Sequence, residues 1–209
     1  MASSNVYCQL GDVKGRLGIR PDEGWNEAAV TQIIETVSRL IDEYCSTRFF
    51  VVAAEVRHFT ARRSSELIVG DFTTITSLKT DDDGDRTYEK TWNLSGSSDD
   101  VDFYPDNAAL EVPPKPYWKL LTTPNGDFGF PVGVRRGVEL TGSFGYCTLA
   151  NLPPQIREAA VLQTIRLYER RKLPFGVYAM PEAGTTTFIT SLDPDVKALL
   201  APFHLVTVA

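Results

Sequence analysis

The sequence predicts an α+β fold: a helical bundle, built from an N-terminal helical hairpin plus C-terminal helices, with an inserted antiparallel β-lobe. Three observations predict it. Apolar residues recur at helical spacing near both ends of the chain, and the middle is written in short β-branched and aromatic runs broken by Asp, Gly, Pro and Asn. Helical spacing then resumes at Pro153-Pro154. The expected boundaries are 1–48 and 149–209 for a helical domain with a C-terminal arm, and 49–148 for the inserted β-lobe.

The strongest helix signal runs from Glu27 to Tyr44, where Val30, Ile33, Ile34, Val37, Leu40, Ile41 and Tyr44 line one face. Pro21 and Asp22 suit its start. A shorter pattern, Val6, Leu10, Val13 and Leu17, ends at Gly18 and predicts a small helix before it, which completes the hairpin.

In the lobe, the clearest strands are Ile75 to Lys79, Thr87 to Trp92, Tyr117 to Thr122 and Val138 to Phe144. Asp83-Gly84 and Asn125-Gly126 are expected as turns, as are the prolines Pro113, Pro114 and Pro116.

A second long helix is expected from Pro154 to about Lys172, ending before Leu173-Pro174. Its apolar arc is wide. Ile156, Ala159, Ala160, Gln163 and Leu167 form one stripe, and Val161, Leu162, Ile165 and Tyr168 extend it, which suits packing on more than one side. Ile156, Ala160, Leu162, Ile165 and Tyr168 are therefore candidates for an inter-subunit helix face. Arg166, Arg170, Arg171 and Lys172 close the helix, where cations complement the dipole; contact with an acidic partner or with DNA is the other reading.

Thr185 to Ile189 reads as extended, and Asp193-Pro194-Asp195 caps a last short helix that Pro202 stops. The final residues, Phe203 to Val208, are apolar where a free terminus is ordinarily polar. They either pair with the β-lobe or dock as an arm into another subunit.

Composition excludes several function classes. With 43% hydrophobic and 23% charged residues the chain is an ordinary globular one. A net charge of -6 argues against a protein that grips nucleic acid over a wide surface. The opening MASSNVYCQL has no basic region followed by an apolar run, and no apolar stretch nears the ~18 residues of a membrane span, so neither secretion nor a membrane partner is expected. Cys8, Cys45 and Cys147 are too few and too far apart for a disulfide framework or a zinc site, and are expected as small buried hydrophobes.

Chemical motifs are scarce. Asp81-Asp82-Asp83-Gly84-Asp85 superficially matches the start of a calcium loop, but with Gly84 in the sixth position the first and twelfth positions fall on Lys79 and Lys90. A hairpin turn is the better reading. His58 and His204 have no metal-ligand spacing, no GxSxG elbow is present, and Gly137, Gly142 and Gly145 make no phosphate cradle. No catalytic residue, metal or cofactor is expected, and the chain does not read as an enzyme. Core packing is the expected role of Trp25, Trp92 and Trp118.

Four segments together resemble the head-tail connector, or adaptor, family of long-tailed bacteriophages and gene-transfer particles. The first is Leu10-Gly11-Asp12-Val13-Lys14 through Leu17, leading into Ile33 to Cys45 and Arg48-Phe49. The second is Val138-Glu139-Leu140-Thr141-Gly142-Ser143-Phe144-Gly145-Tyr146 running into Leu152-Pro153-Pro154-Gln155-Ile156. Arg166 to Arg171 with Pro174-Phe175-Gly176-Val177 is the third, and Leu192 to Phe203 the fourth. His204-Leu205-Val206 follows Phe203 in place of the basic residue expected there.

The resemblance implies a structural subunit of the virion neck, synthesised in the host cytoplasm. It would form a homo-oligomeric ring, a dodecamer, below the portal, linking the DNA-filled capsid to the tail and lining the DNA channel. Its implied partners are the portal protein, a stopper or tail-completion protein, sister subunits, and passing double-stranded DNA without sequence specificity. Val196, Leu199, Leu200, Phe203, Leu205 and Val206 would form the portal-docking arm. The rival reading is a monomeric carbohydrate- or calcium-dependent β binding module resting on Asp81 to Asp85 and the aromatics.

Overall fold

The structure, a computed structural model, describes residues 5–18, 26–94, 100–104, 110–111, 114–124, 128–170, 178–179, 186–187 and 192–204. The chain is α+β and divides into two compact units, one of residues 1–47 with 152–209 and one of residues 48–151. Among the described residues there are four α-helices, a six-stranded antiparallel sheet and a two-stranded ribbon.

In the first unit, α1 (Leu10–Leu17) is opened by the Gln9 backbone N–H donating to Asp12 at 2.8 Å, and closed by Gly18 at φ 65°. That left-handed φ is where glycine carries no Cβ penalty. α2 (Glu27–Cys45) starts where Asn26 accepts from the Ala29 N–H at 3.0 Å; of the stripe its spacing predicts it buries Val30, Ile34, Val37 and Ile41, together with Cys45, and leaves Ile33, Leu40 and Tyr44 half-buried. α3 (Pro154–Arg170) packs against α1, α2 and α4 (Pro194–Leu200). Three neighbours within one chain thus account for much of its wide apolar arc.

The segment before α1 is itself part of this interior. Tyr7 and Cys8 are almost fully buried: the Tyr7 N–H donates to Ser38 of α2 at 3.1 Å, its hydroxyl reaches Asp42, and the Cys8 sulfur sits 3.9 Å from the Thr164 hydroxyl of α3. Pro21, Asp22 and Trp25 lie outside the described residues.

The second unit is a twisted sheet ordered β1-β6-β2-β5-β4, with β3 pairing the far end of β2. Its strands are β1 (Val52–Phe59), β2 (Glu66–Thr80), β3 (Lys90–Thr91), β4 (Val101–Tyr104), β5 (Tyr117–Thr122) and β6 (Val138–Phe144). The last two have the bounds expected from sequence. β2 begins well before Ile75, because bulges between Ile68 and Phe72 and again after Phe72 let one strand serve both β5 and β6. β3 is only the end of the expected Thr87 to Trp92 strand.

The reason lies in the Asp81 loop, which is longer than a two-residue turn. Asp81 is buried, and its carboxylate accepts from the N–H groups of Gly84 at 2.7 Å and Arg86 at 2.8 Å. Burial alone would raise its pKa, but those backbone donors, with Asp83, hold it below the ordinary carboxylate value. Residues 82–89 are thereby drawn into an Asp-centred loop that leaves Lys79 facing Thr91 and Thr80 facing Lys90. Asn125-Gly126 lies outside the described residues.

One face of the sheet holds the core, made of Leu67, Val69, Phe72, Leu78, Trp92, Leu120, Phe130, Val138, Leu140 and Phe144 among others. Trp92 stacks on Phe130 with ring centres 4.7 Å apart and gives its indole N–H to Thr80 at 3.1 Å. Trp118 departs from the core expectation: it alternates out of the strand pattern at 39% exposure, with the Lys119 ammonium over its ring. β7 (Tyr178–Ala179) and β8 (Thr186–Thr187) form the ribbon.

Candidate functional site

The junction of α3 and α4 carries the residues on which the expected function rests. Asp193 caps α4: its carboxylate accepts from the Asp195 N–H at 3.1 Å, and its carbonyl accepts from the Lys197 N–H at 2.8 Å. Pro194 follows in the first helical position, where its missing N–H costs nothing. Arg166 of α3 pairs with Asp193 and, at 3.1 Å, with Asp195. One guanidinium therefore fixes the start of α4 through two carboxylates.

The same junction divides the predicted arm in two. Val196 and Leu200 are fully buried in the first unit, as are Leu192 and Asp193 nearly so. Leu192, Val196 and Leu200 are core residues of the chain itself, each apolar side chain worth roughly 1.5–3 kcal/mol of burial. Leu199 and Phe203 are half-buried, and His204 is exposed with its ring 5.0 Å from that of Tyr44. Leu205 and Val206 lie outside the described residues.

The predicted inter-subunit face divides in the same way. Ile156, Ala160 and Tyr168 are buried by neighbours within the chain, whereas Leu162 and Ile165 remain half-buried. Sequence spacing registers a wide apolar arc but not whose atoms cover it. In the basic cluster, Arg166 is engaged by two aspartates and Arg170 is half-buried; Arg171 and Lys172 lie outside the described residues.

Reactive groups behave as structural ones. Burial pushes the Cys8 thiol up to about 11, Cys45 up to about 12 and Cys147 up to about 11, so little thiolate forms near neutrality. Asp81, Asp83 and Asp85 bring one carboxylate oxygen each within 4.8 Å of one another. Those carboxylates already serve backbone donors, Asp83 to the Asp85 N–H at 3.2 Å and Asp85 to the Thr87 N–H at 2.7 Å. His58 lies 3.3 Å from Glu139 across β1 and β6. Among the described residues no helix is long and apolar enough to cross a membrane.

No protein-family model matches the chain, and no curated protein sequence does. Solved structures do. A chain in the neck of an empty gene transfer agent particle, computed with C6 symmetry, aligns with a TM-score of 0.56 and 19% identity over 96% of this chain and 91% of that one. A chain in the neck of the native particle, computed with C12 symmetry, aligns with a TM-score of 0.52 and 20% identity over 87% of this chain and 85% of that one. A third, from the virion of the native particle, gives 0.52 and 19% over 96% and 91%. The likeness spans both units, and the chain shares its fold with proteins seen in the necks of gene transfer agent particles.

Proposed function

We propose that the chain is a non-catalytic structural subunit of a virion neck, an adaptor that forms a ring beneath the portal and joins a DNA-filled head to its tail. The observation that carries this reading is the shared fold over 96% of the chain with a neck component, helices and inserted sheet together. The C6 and C12 symmetries belong to those particles; here they support a homo-oligomeric ring, for which a dodecamer is the expected size.

Portal docking falls to the residues that the chain's own core leaves over. Leu199 and Phe203 are half-buried, and Leu205 and Val206 continue the apolar run beyond them. Leu162 and Ile165 are the remaining candidates for contact with a sister helix. A net charge of -6 suits a ring through which duplex DNA slides without being held. A stopper or tail-completion protein would meet the opposite face of the ring.

Co-sedimentation with portal rings tests the role. The full chain should join them; a chain ending at His204 keeps Val196 and Leu200, hence its fold, and should lose binding. A full chain with no affinity for portal rings overturns the reading. Submicromolar, salt-sensitive binding of duplex DNA by the isolated subunit would overturn the channel role.

A further inference from the structure

One end of the sheet gathers three loops that are far apart in sequence. Val138 at the start of β6 faces both Phe59 at the end of β1 and Thr80 at the end of β2. Side by side across this end lie the β1 exit (residues 60–63), the β6 approach (132–137) and the Asp81 loop (81–89). They are tied by an Ala61–Val132 bridge, by the Arg136 N–H donating to Thr60 at 2.9 Å, by the Asp81 N–H donating to Gly137 at 2.9 Å, and by the Tyr88 hydroxyl donating to the Arg136 carbonyl at 2.8 Å.

Charge is segregated along this row. The β1 side exposes Arg62, Arg63, Arg135 and Arg136 beside two half-buried acids, Glu66 and Glu139, the latter 3.3 Å from His58; the β2 side exposes Asp82, Asp83, Asp85 and Glu89 beside Arg86 and Lys90. Arg63 is neutralised by Glu66 at 2.9 Å, and Asp82 is near Lys90 at 3.7 Å. Among the described residues no ion pair joins the four arginines to the aspartates of the loop. The buried Asp81 takes the N–H groups of Gly84 and Arg86, while the exposed Asp83 and Asp85 each accept one loop N–H and keep their charge at the surface.

A surface that is basic at one margin and acidic at the next matches a displaced copy of itself. We infer that this end of the sheet is a head-to-tail contact between sister subunits, the Arg62 and Arg135 margin of one copy meeting the Asp82 and Asp83 margin of the next. A heterologous contact of this kind closes into a ring when its rotation permits, and opposite charges set both register and polarity. The inference rests on the ring assembly proposed above and supplies it with a lateral contact. The occupant is a second copy, since the two margins are opposite in sign; a nucleic acid would meet the acidic loop at the same end of the sheet.

Charge reversal tests it. One variant carries Arg62→Asp and Arg135→Asp, the other Asp82→Arg and Glu89→Arg; all four side chains are exposed, and neither variant touches the Asp81, Asp83 and Asp85 carboxylates that hold the loop, so circular dichroism should match the parent. Each alone should weaken lateral association at least about tenfold, read by sedimentation velocity, and an equimolar mixture should restore it. Variants that associate like the parent, or a mixture that stays dissociated, overturn the inference. The two readings fail separately. Concentration-dependent amide shifts confined to residues 60–63, 82–85 and 132–136, in a chain that ignores portal rings, keep the contact and remove the neck role. Rings that form on the portal equally well from either variant keep the role and remove the contact.

Discussion

Arg166 in α3 closes on Asp193, the residue that caps α4, across 27 positions of sequence. Asp193 is 2% exposed, so its carboxylate depends on that guanidinium and on the N–H of Asp195 for solvation. Arg166→Met should leave a buried carboxylate half-satisfied and cost about 1–3 kcal/mol. Hydrogen exchange should show the loss as faster exchange of the Lys197 amide and its neighbours in α4, while α2 keeps its protection. Equal loosening of α2 would mean that the pair supports the whole unit and not the α4 attachment.

Two glycine replacements should act in opposite directions. Gly142 of β6 has no room for a side chain: an added Cβ would collide with the Thr74 carbonyl and come within 3.1 Å of the Ile75 Cα. Gly142→Ala should therefore force apart the β2–β6 pairing and lower the melting temperature, or prevent soluble expression. Gly15, exposed in α1 with nothing within 4 Å of an added Cβ, should gain about 0.5–1 kcal/mol as Ala.

Thiol chemistry should report folding. Cys8, Cys45 and Cys147 should resist an aromatic disulfide reagent in the native chain and react together after denaturation. Their folded pKa values, about 11 to about 12, stand above the ordinary 9.0. A thiol that ionises later in the folded state adds stability below pH 9.0, and that stability is lost as pH climbs through the folded values. Alkaline denaturation should begin in that window and shift upward when Cys45 is replaced by Ala, provided that the cavity cost is measured at neutral pH and subtracted.

Acid should act on the Asp81 loop in the reverse sense. Its folded pKa lies below the ordinary 3.8, so its contribution is present above that value and lost as pH falls through the folded one. In an amide-resolved titration, Gly84 and Arg86 should show the lowest midpoints among the loop residues. Asp81→Ala should remove this behaviour at every pH and disorder residues 82–89, with β5 and β6 unaffected. Unchanged Gly84 and Arg86 shifts in that variant would contradict the capping role.

What the sequence alone determined was each element whose signal is local. Apolar spacing defines α2 and α3, Asp193-Pro194 marks the start of α4, and β-branched and aromatic runs between turn residues mark β5 and β6, because helix periodicity, strand composition and terminal capping involve residues within a few positions of one another. Tertiary structure alone decided which apolar surface was already spoken for. Ile156, Val196 and Leu200 look no different in sequence from Leu162 and Leu199, yet α3 and α4 bury the first three against their own chain. It also decided that β2 should run from Glu66, and that Arg62, Arg135 and the Asp81 loop should share one end of a sheet. Strand order and helix docking depend on contacts between distant segments, and these are selected by the shape of the assembled core and not by any local pattern.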